Sequence, residues 1–453
     1  AALGVVATGV AAVGVGVGPD RATFCALRPV GESVPCSYVA GGTAAVVATL
    51  FCVLTLGVLA LSVPALRRGL PSGEYVFLLM CSLTGGVVLG YANDLVTLIV
   101  ALETLTLPLY ALVGLRRGVL ASITGAVNFF VVSVVSTAVT LMGAALLYTT
   151  TGSVYLAELS PDAVSPAELP LVSTAAVLVL AGLAFKVAAV PFHAWAPGTY
   201  DGAPLPVAAY LSTASKLGGV IALLYVALGL AGWWDLVGYT LAGLAVLTMT
   251  VGNLVALRQT RMVRLLAWSS VAQSGYILAP LGALAWERTG DELATAITAT
   301  LAYTVFYVLL ELVAFGSLIG MRGAADGGPI EAYRGMATRA PWLAAALALA
   351  LTGLAGLPPG LAGLFAKVAV VRALLDTGTG WLALVVALNA VVGLAYYVRV
   401  AALLYRPPAE VPEPVPRVVW QVAAAVAVIA LLAVIVGFAP QLVLDVADVA
   451  VAF

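Results

Sequence analysis

The sequence predicts an all-α, polytopic membrane protein of about 13 transmembrane helices, built on two inverted five-helix repeats that each contain a broken helix. Three observations carry this expectation: composition, recurring apolar runs, and the placement of the basic residues. Of 453 residues, 63% are hydrophobic and only 9% charged, whereas a soluble domain carries about 25% charged residues. Apolar runs long enough to cover about 30 Å of hydrocarbon with about 20 residues follow one another along the chain. Barrel strands would show a period-two alternation that is absent, and helices satisfy every backbone polar group within the segment. The net charge is −1, and no basic stripe suggests nucleic acid.

In chain order, residues 1–73 hold apolar spans at 1–18 and 39–64, separated by the polar segment CALRPVGESVPC. The first repeat, 74–230, holds spans at 74–92, 94–115, 119–150, 169–196 and 204–230. The second, 233–406, holds spans at 233–257, 264–286, 292–320, 341–375 and 379–406. A last span at 417–443 lies in the C-terminal segment 407–453. There is no signal-peptide pattern, and the chain opens without methionine inside an apolar run, so a preceding span is expected to be missing from it.

The arginines sort by side. Alternate loops hold Arg67, Arg68, Arg116, Arg117, Arg258, Arg261, Arg264, Arg322, Arg334, Arg339, Arg406 and Arg417; the opposite loops hold only Arg21, Arg28 and Arg288. By the positive-inside rule the first set is cytoplasmic. The acidic loop with Glu158, Asp162 and Glu168 then faces the exterior.

The lysines behave differently. Only three of the 20 basic residues are lysines, and Lys186, Lys216 and Lys367 all fall inside apolar spans. Arginine keeps its proton under all ordinary conditions, whereas a lysine taken out of water gives its proton up readily, as a relay requires. At about 1.5 Å per residue, Lys216 lies about 15 Å past Pro206, and Lys367 lies about 13 Å before Asp376. Lys186 lies about 22 Å past Leu171, deep enough that snorkelling to the far interface is the alternative to a relay role. Each ammonium costs about 2.5–3.5 kcal/mol to insert at a helix centre. Glu103, about 12 Å into LVTLIVALETLTLPLYALVG, supplies the opposite charge. A carboxylate near Lys186 would hold it protonated and release the proton when the two separate. The alternative is a static pair, which stabilises little.

Two spans are interrupted. FKVAAVPFHAWAPGTYDGAPLP breaks at Pro191 and again between Pro197 and Pro206, and the 341–375 span carries GLPPGLAG at its middle. A straight helix of that length would reach about 52 Å, too long for one crossing. The lysine-bearing broken helix is the fourth of each five, and an odd number of spans inverts the second repeat relative to the first. Discontinuous helices in corresponding places mark inverted-repeat transporters.

The segment FKVAAVPFHAWAPGTYDGAP followed by LSTASKLGGV resembles the hallmark of subunit N of respiratory NADH:quinone oxidoreductase (complex I). ALETLTLPLYALVGL, VRLLAWSSVAQSGYIL, LTGLAGLPPGLAGLFAKV and AYYVRVAALLY extend the likeness across residues 75–406. The resemblance implies an antiporter-like subunit of the bacterial plasma membrane, multi-pass, moving protons from cytoplasm to exterior when quinone is reduced elsewhere in the complex. It also implies that residue 1 lies in the family's second helix of fourteen. By the same resemblance Glu103 and Lys186 match the family's coupled pair, Lys216 its central lysine, and Lys367 its distal one. Expected partners are the antiporter-like subunit M, the small K, J and A subunits, and lipid. No flavin, iron–sulfur or nicotinamide cofactor is expected in this chain, and its four cysteines form no cluster-binding set. A subunit of an Mrp-type cation/proton antiporter is the alternative, against which the spelling TASK at Lys216 argues.

The chain departs from the family at several places. Gly198 stands where Asp is frequent, with Asp201 nearby as a substitute, and Gln273 stands where histidine is common. Glutamine relays a hydrogen bond but does not titrate. Conversely Glu311, about 13 Å deep, is not implied by the family; it is either an added relay group or a protonated carboxyl bonded to a neighbour. His193, the sole histidine, serves either in proton uptake or by bonding exposed backbone. Tyr200, Ser212, Thr213 and Ser215 are weaker candidates for hydrogen-bond partners. Cys25 and Cys36, in an exterior loop, are expected to form a disulfide, while Cys52 and Cys81 pack within spans.

Overall fold

A computed structural model describes the chain except residues 27–33, 160–163, 166, 287–289, 324, 408–414 and 450–453. Arg28, Asp162 and Arg288, used above to orient the loops, lie outside the described residues.

The chain opens with α1 (Ala2–Gly16), then a hairpin of β1 (Arg21–Cys25) and β2 (Cys36–Ala40), α2 (Gly42–Leu61) and the short α3 (Val63–Arg67). The hairpin was not expected from the Pro- and Gly-rich centre of this loop. Its arms, RATFC and CSYVA, are rich in the β-branched and aromatic residues that strands favour. They pair antiparallel with Cys25 opposite Cys36, and a disulfide joins the two. Cys52 and Cys81 are free, as expected of packing residues.

The next part of the chain comprises α4 (Ser72–Gly90), α5 (Leu95–Val113), α6 (Leu120–Thr151) and α7 (Leu169–Lys186). It continues through short α8 (Ala196–Gly202) and α9 (Leu205–Tyr210), a π-turn at Leu211–Ser215, and α10 (Lys216–Gly229). Asp94 caps α5, accepting from the Thr97 backbone and hydroxyl at 2.7 Å each. The part after it comprises α11 (Trp234–Ala256), α12 (Met262–Gly282), α13 (Gly290–Arg322), short α14 (Met336–Arg339), the pair α15 (Pro341–Ala355) and α16 (Leu361–Asp376), and α17 (Gly380–Leu404). Then come α18 (Trp420–Phe438) and α19 (Gln441–Val449).

Among the described residues, 10 helices are long and apolar enough to cross a membrane, against the thirteen expected. The remaining three expected spans are helical but differ in kind. α1 has only 15 residues, α12 carries the polar run SSVAQS, and the 341–375 span is split into helices of 15 and 16 residues.

Burial orders these helices from centre to rim. In the most apolar 18-residue stretch of Leu205–Gly229 and of Gly290–Arg322, 94% and 89% of the residues are buried, against 28% in the corresponding stretches of α6 and α18. The rim helices present apolar side chains such as Leu120, Val127, Val135 and Leu141 outward. α6 and α7 approach closely through small residues: a Cβ at Gly143 would meet the Ala175 carbonyl at 2.8 Å, and one at Gly182 would meet that of Ser136 at 2.8 Å.

Loop contacts concentrate in two places. At one, Arg261 binds Asp201 at 2.8 Å and Asp326 at 3.0 Å, while Arg68, Arg116, Arg117 and Gly323 border a shared cavity. These two carboxylates raise the Arg261 pKa further above its ordinary value. At the other end, Asn93 bonds the hairpin through the Ser37 and Cys36 carbonyls, and Asp94 bridges to Tyr155.

Candidate functional site

The first broken helix stops at Lys186. Ala188 takes a positive φ of 56°, the Val190–Pro191 peptide is cis, and the backbone groups released there find partners on neighbouring helices. Val190 N–H donates to Thr248 on α11 at 3.0 Å, Trp195 donates to the Phe185 carbonyl at 3.2 Å, and Ser274 on α12 donates to the Val187 carbonyl at 2.6 Å. Non-helical backbone persists at this depth because it is enclosed in protein and satisfied there.

Lys186 points inward rather than toward an interface. Its Nζ donates to Glu103 Oε1 on α5 at 2.7 Å and to Thr106 and Ser133 at 3.2 Å each. Thr137 donates to the same Glu103 oxygen at 2.7 Å, and Tyr110 bonds Ser133. The expected carboxylate–lysine pair is therefore in contact, its side chains 22% and 7% exposed.

Lys216 begins α10 immediately after the π-turn, a local widening of the helix that recurs at functional sites. The side chain is 1% exposed and reaches α12, donating to the Ser270 carbonyl at 2.5 Å and the Ser274 hydroxyl at 2.7 Å. Its ammonium stands 5.5 Å from the ring centre of Tyr307 on α13. Tyr307 in turn pairs with the Ser270 hydroxyl at 2.7 Å and donates to the Ser212 carbonyl at 2.9 Å.

The second break lies between α15 and α16, with Gly356 at φ 85° and a cis Pro358–Pro359 peptide. Lys367 folds back onto the end of α15, donating to the Leu354 and Ala355 carbonyls at 2.7 Å each. Gln273 donates to the same Leu354 carbonyl at 3.1 Å, bonds the Tyr397 hydroxyl at 3.0 Å, and accepts from Tyr303 at 2.6 Å.

Consecutive residues of α12 thus touch both breaks: Ser274 joins Lys216 to the carbonyl beside Lys186, and Gln273 shares an acceptor with Lys367. Sequence reasoning singled out the α12 segment but not Ser270, Ser274, Thr106, Ser133 or Tyr307. The polar run SSVAQS inside an apolar helix was the available signal. Other sequence candidates sit elsewhere. Ser212 and Thr213 turn their hydroxyls to the Ala209 carbonyl, while Tyr200 is buried. His193 is half-buried against Trp268 at 5.1 Å between ring centres, and no described hydrogen bond links it to a lysine. Asp201, one turn from Gly198 on α8, is held at the arginine-rich end by Arg261 and Arg264. Glu311 is wholly buried on α13, and neither carboxylate oxygen has a hydrogen-bond partner. Of the two readings of Glu311, a carboxyl bonded to a neighbour finds no such bond among the described residues. No group of His, Cys, Asp and Glu among the described residues could hold a metal ion.

Comparison with known proteins bears on the same architecture. Residues 92–393 match the family described as NADH:quinone oxidoreductase/Mrp antiporter, transmembrane. A NADH-quinone oxidoreductase subunit N from Salinispora tropica is 60% identical, over 99% of this chain and 92% of its own length. The chain belongs to the NADH-quinone oxidoreductase subunit N family. A chain of respiratory complex I from Thermus thermophilus with bound aureothin shares the fold at TM-score 0.79 and 31% identity, over 98% of this chain and 92% of that one. The Mrp complex of Dietzia sp. DQ12-45-1b matches at TM-score 0.83 over 100% and 91% of the two chains, but at 22% identity that likeness shows the fold alone. A subunit N of this family is an antiporter-like membrane subunit of complex I, a proton-translocating enzyme, and the Mrp alternative is the less supported.

Proposed function

We propose that protons cross this subunit along the buried line Lys186–Lys216–Lys367, with Glu103 as the counter-charge at its first member. The observation that carries the reading is the placement of α12 against both helix breaks: Ser274 bonds Lys216 and the Val187 carbonyl beside Lys186, and Gln273 shares the Leu354 carbonyl with Lys367. A neutral lysine accepts a proton, becomes an ammonium stabilised by carbonyls and hydroxyls already in place, and passes the proton on when its surroundings change. The hydroxyls of Ser270, Ser274, Tyr307 and Tyr397 donate and accept, so they carry hydrogen-bonded transfer between lysines. Signals reach the line electrostatically: moving Glu103 away from Lys186 releases a proton that their contact would hold.

Placement follows the arginine distribution, with the arginine-rich end in the cytoplasm of a bacterial plasma membrane and protons leaving at the hairpin end. The outward apolar faces of α6 and α18 suit lipid or the neighbouring membrane-arm subunits, the M, K, J and A types among them. His193, at the first break, stays a candidate for proton uptake.

Replacing Lys216 tests the route. Lys216→Arg keeps the charge but does not release a proton, and Lys216→Met keeps the stem without the charge. With the assembled complex in proteoliposomes, both are expected to lower proton pumping by roughly 100-fold, in the range a positioned proton-transfer group contributes. Normal pumping by Lys216→Arg would overturn the relay.

A further inference from the structure

We propose that Glu311 is a second proton-carrying group of the central site, exchanging its proton with Lys216; this rests on the relay reading above. Two carboxylates among the described residues are fully buried, Asp94 at 2% and Glu311 at 0% exposure. Asp94 is accounted for as a helix cap, with both oxygens bonded by Thr97. Glu311 has no hydrogen-bond partner on either oxygen. An ionised carboxylate without partners or nearby positive charge is far too costly to keep in such a place. Glu311 shares a face of α13 with Tyr307, one turn earlier, and the Lys216 ammonium stands 5.5 Å from the centre of that Tyr307 ring, so the fold brings Lys216 to the side of α13 that carries this carboxyl.

That arrangement leaves two low-cost states. In one, Glu311 carries its proton and Lys216 is a neutral amine. In the other, the carboxyl O–H bond is broken, an N–H bond is formed, and carboxylate and ammonium face each other. One proton moves and the net charge of the pair stays zero in both states, so the exchange adds no uncompensated charge to the membrane interior. Tyr307, one turn before Glu311 on α13, pairs with Ser270, whose carbonyl holds the Lys216 ammonium. A titratable group here also answers the chemistry at Gln273, which bonds Leu354 and Tyr397 on the way to Lys367 but cannot itself take up a proton. The innermost carboxyl gives Lys216 the counter-charge that Glu103 gives Lys186, held one exchange away instead of in contact.

The test compares Glu311→Gln, Glu311→Asp and Lys216→Met in the complete complex reconstituted into proteoliposomes, with NADH:quinone turnover and proton uptake measured together. Glu311→Gln keeps shape without the titratable proton and is expected to lower pumping by about tenfold, less than the roughly 100-fold expected of Lys216→Met. Glu311→Asp, which keeps the carboxyl, is expected to retain most pumping. Infrared difference spectra on turnover supply a second readout: a protonated-carboxyl band should change in the wild type and in Glu311→Asp and be missing from Glu311→Gln. This readout also decides the matter if Glu311→Gln assembles poorly, since a wild-type band that stays constant on turnover, or that Glu311→Asp leaves unshifted, overturns the proposal. Full pumping by Glu311→Gln while Lys216→Met fails would overturn the assignment of Glu311 and leave the relay standing. Full pumping by Lys216→Met would overturn the relay itself. Equal loss in the Gln and Asp variants would show that shape, not titration, matters here, and the proposal would fall.

Discussion

Glu103 Oε1 receives both the Lys186 ammonium and the Thr137 hydroxyl, so one oxygen ties α5, α6 and α7 together. Glu103→Ala leaves a buried ammonium with two hydroxyl contacts and no counter-charge. Breaking a buried pair from one side costs about 3–5 kcal/mol in full burial, and the partial exposure of Glu103 lowers that figure. Coupled pumping in proteoliposomes should therefore fall in the Ala variant and persist in part in Glu103→Asp; unchanged pumping in Glu103→Ala would remove this residue from the mechanism. The pair was legible in the sequence because a charged residue in an apolar run demands a partner. Its hydroxyl neighbours were not legible. Ser and Thr are frequent in membrane helices and usually bond a carbonyl of their own helix, as Thr106 does with Leu102 and Thr137 with Ser133. Nothing in the one-dimensional pattern separates those that also face a lysine.

At the scale of elements, the two breaks were readable because proline removes a backbone donor and a tight Gly–Pro segment cannot continue a helix. The π-turn before Lys216 was not readable, since LSTAS contains no helix breaker. The hairpin escaped notice because its strands are only five residues each. Glycine packing at the second break gives a test. Gly363 on α16 lies against the backbone of Gly353 on α15, so a Cβ at that position would collide with the Gly353 carbonyl. Backbone cannot swing aside as a side chain can. Gly363→Ala is expected to destabilise by about 1–3 kcal/mol or more, and to shift the Leu354 carbonyl away from Lys367. Gly243→Ala on α11, where nothing lies within 4 Å, serves as the control. The melting temperature of the purified complex should drop for Gly363→Ala alone; equal melting of the two variants would mean that the contact between α15 and α16 yields easily.

For the whole molecule, the position of the hairpin offers a test of the proposed orientation. β1 and β2 lie with Asn93 and Tyr155 at the end opposite the ion pairs of Arg261. If the arginine-rich end is cytoplasmic, the Cys25–Cys36 bridge stands outside, where disulfides persist; a cytoplasmic loop would be kept reduced. On chain-entropy grounds, closing so short a loop removes roughly 3 kcal/mol of unfolded-state freedom, and it holds together a hairpin that two short strands alone would stabilise only marginally. Cys52 and Cys81, free on separate helices, provide an internal contrast. Two measurements on the complex, isolated without reductant, check the claim. Mass spectrometry of the alkylated protein should find Cys25 and Cys36 in one crosslinked peptide pair and unmodified by alkylating reagent. In reduced intact cells, a membrane-impermeant thiol reagent should label both, because the reagent reaches the outer face alone. Free thiols at both positions in protein kept from reductant would count against the bridge. Protection from the impermeant reagent after reduction, with labelling restored on permeabilisation, would turn the assigned orientation over and with it the direction of proton movement.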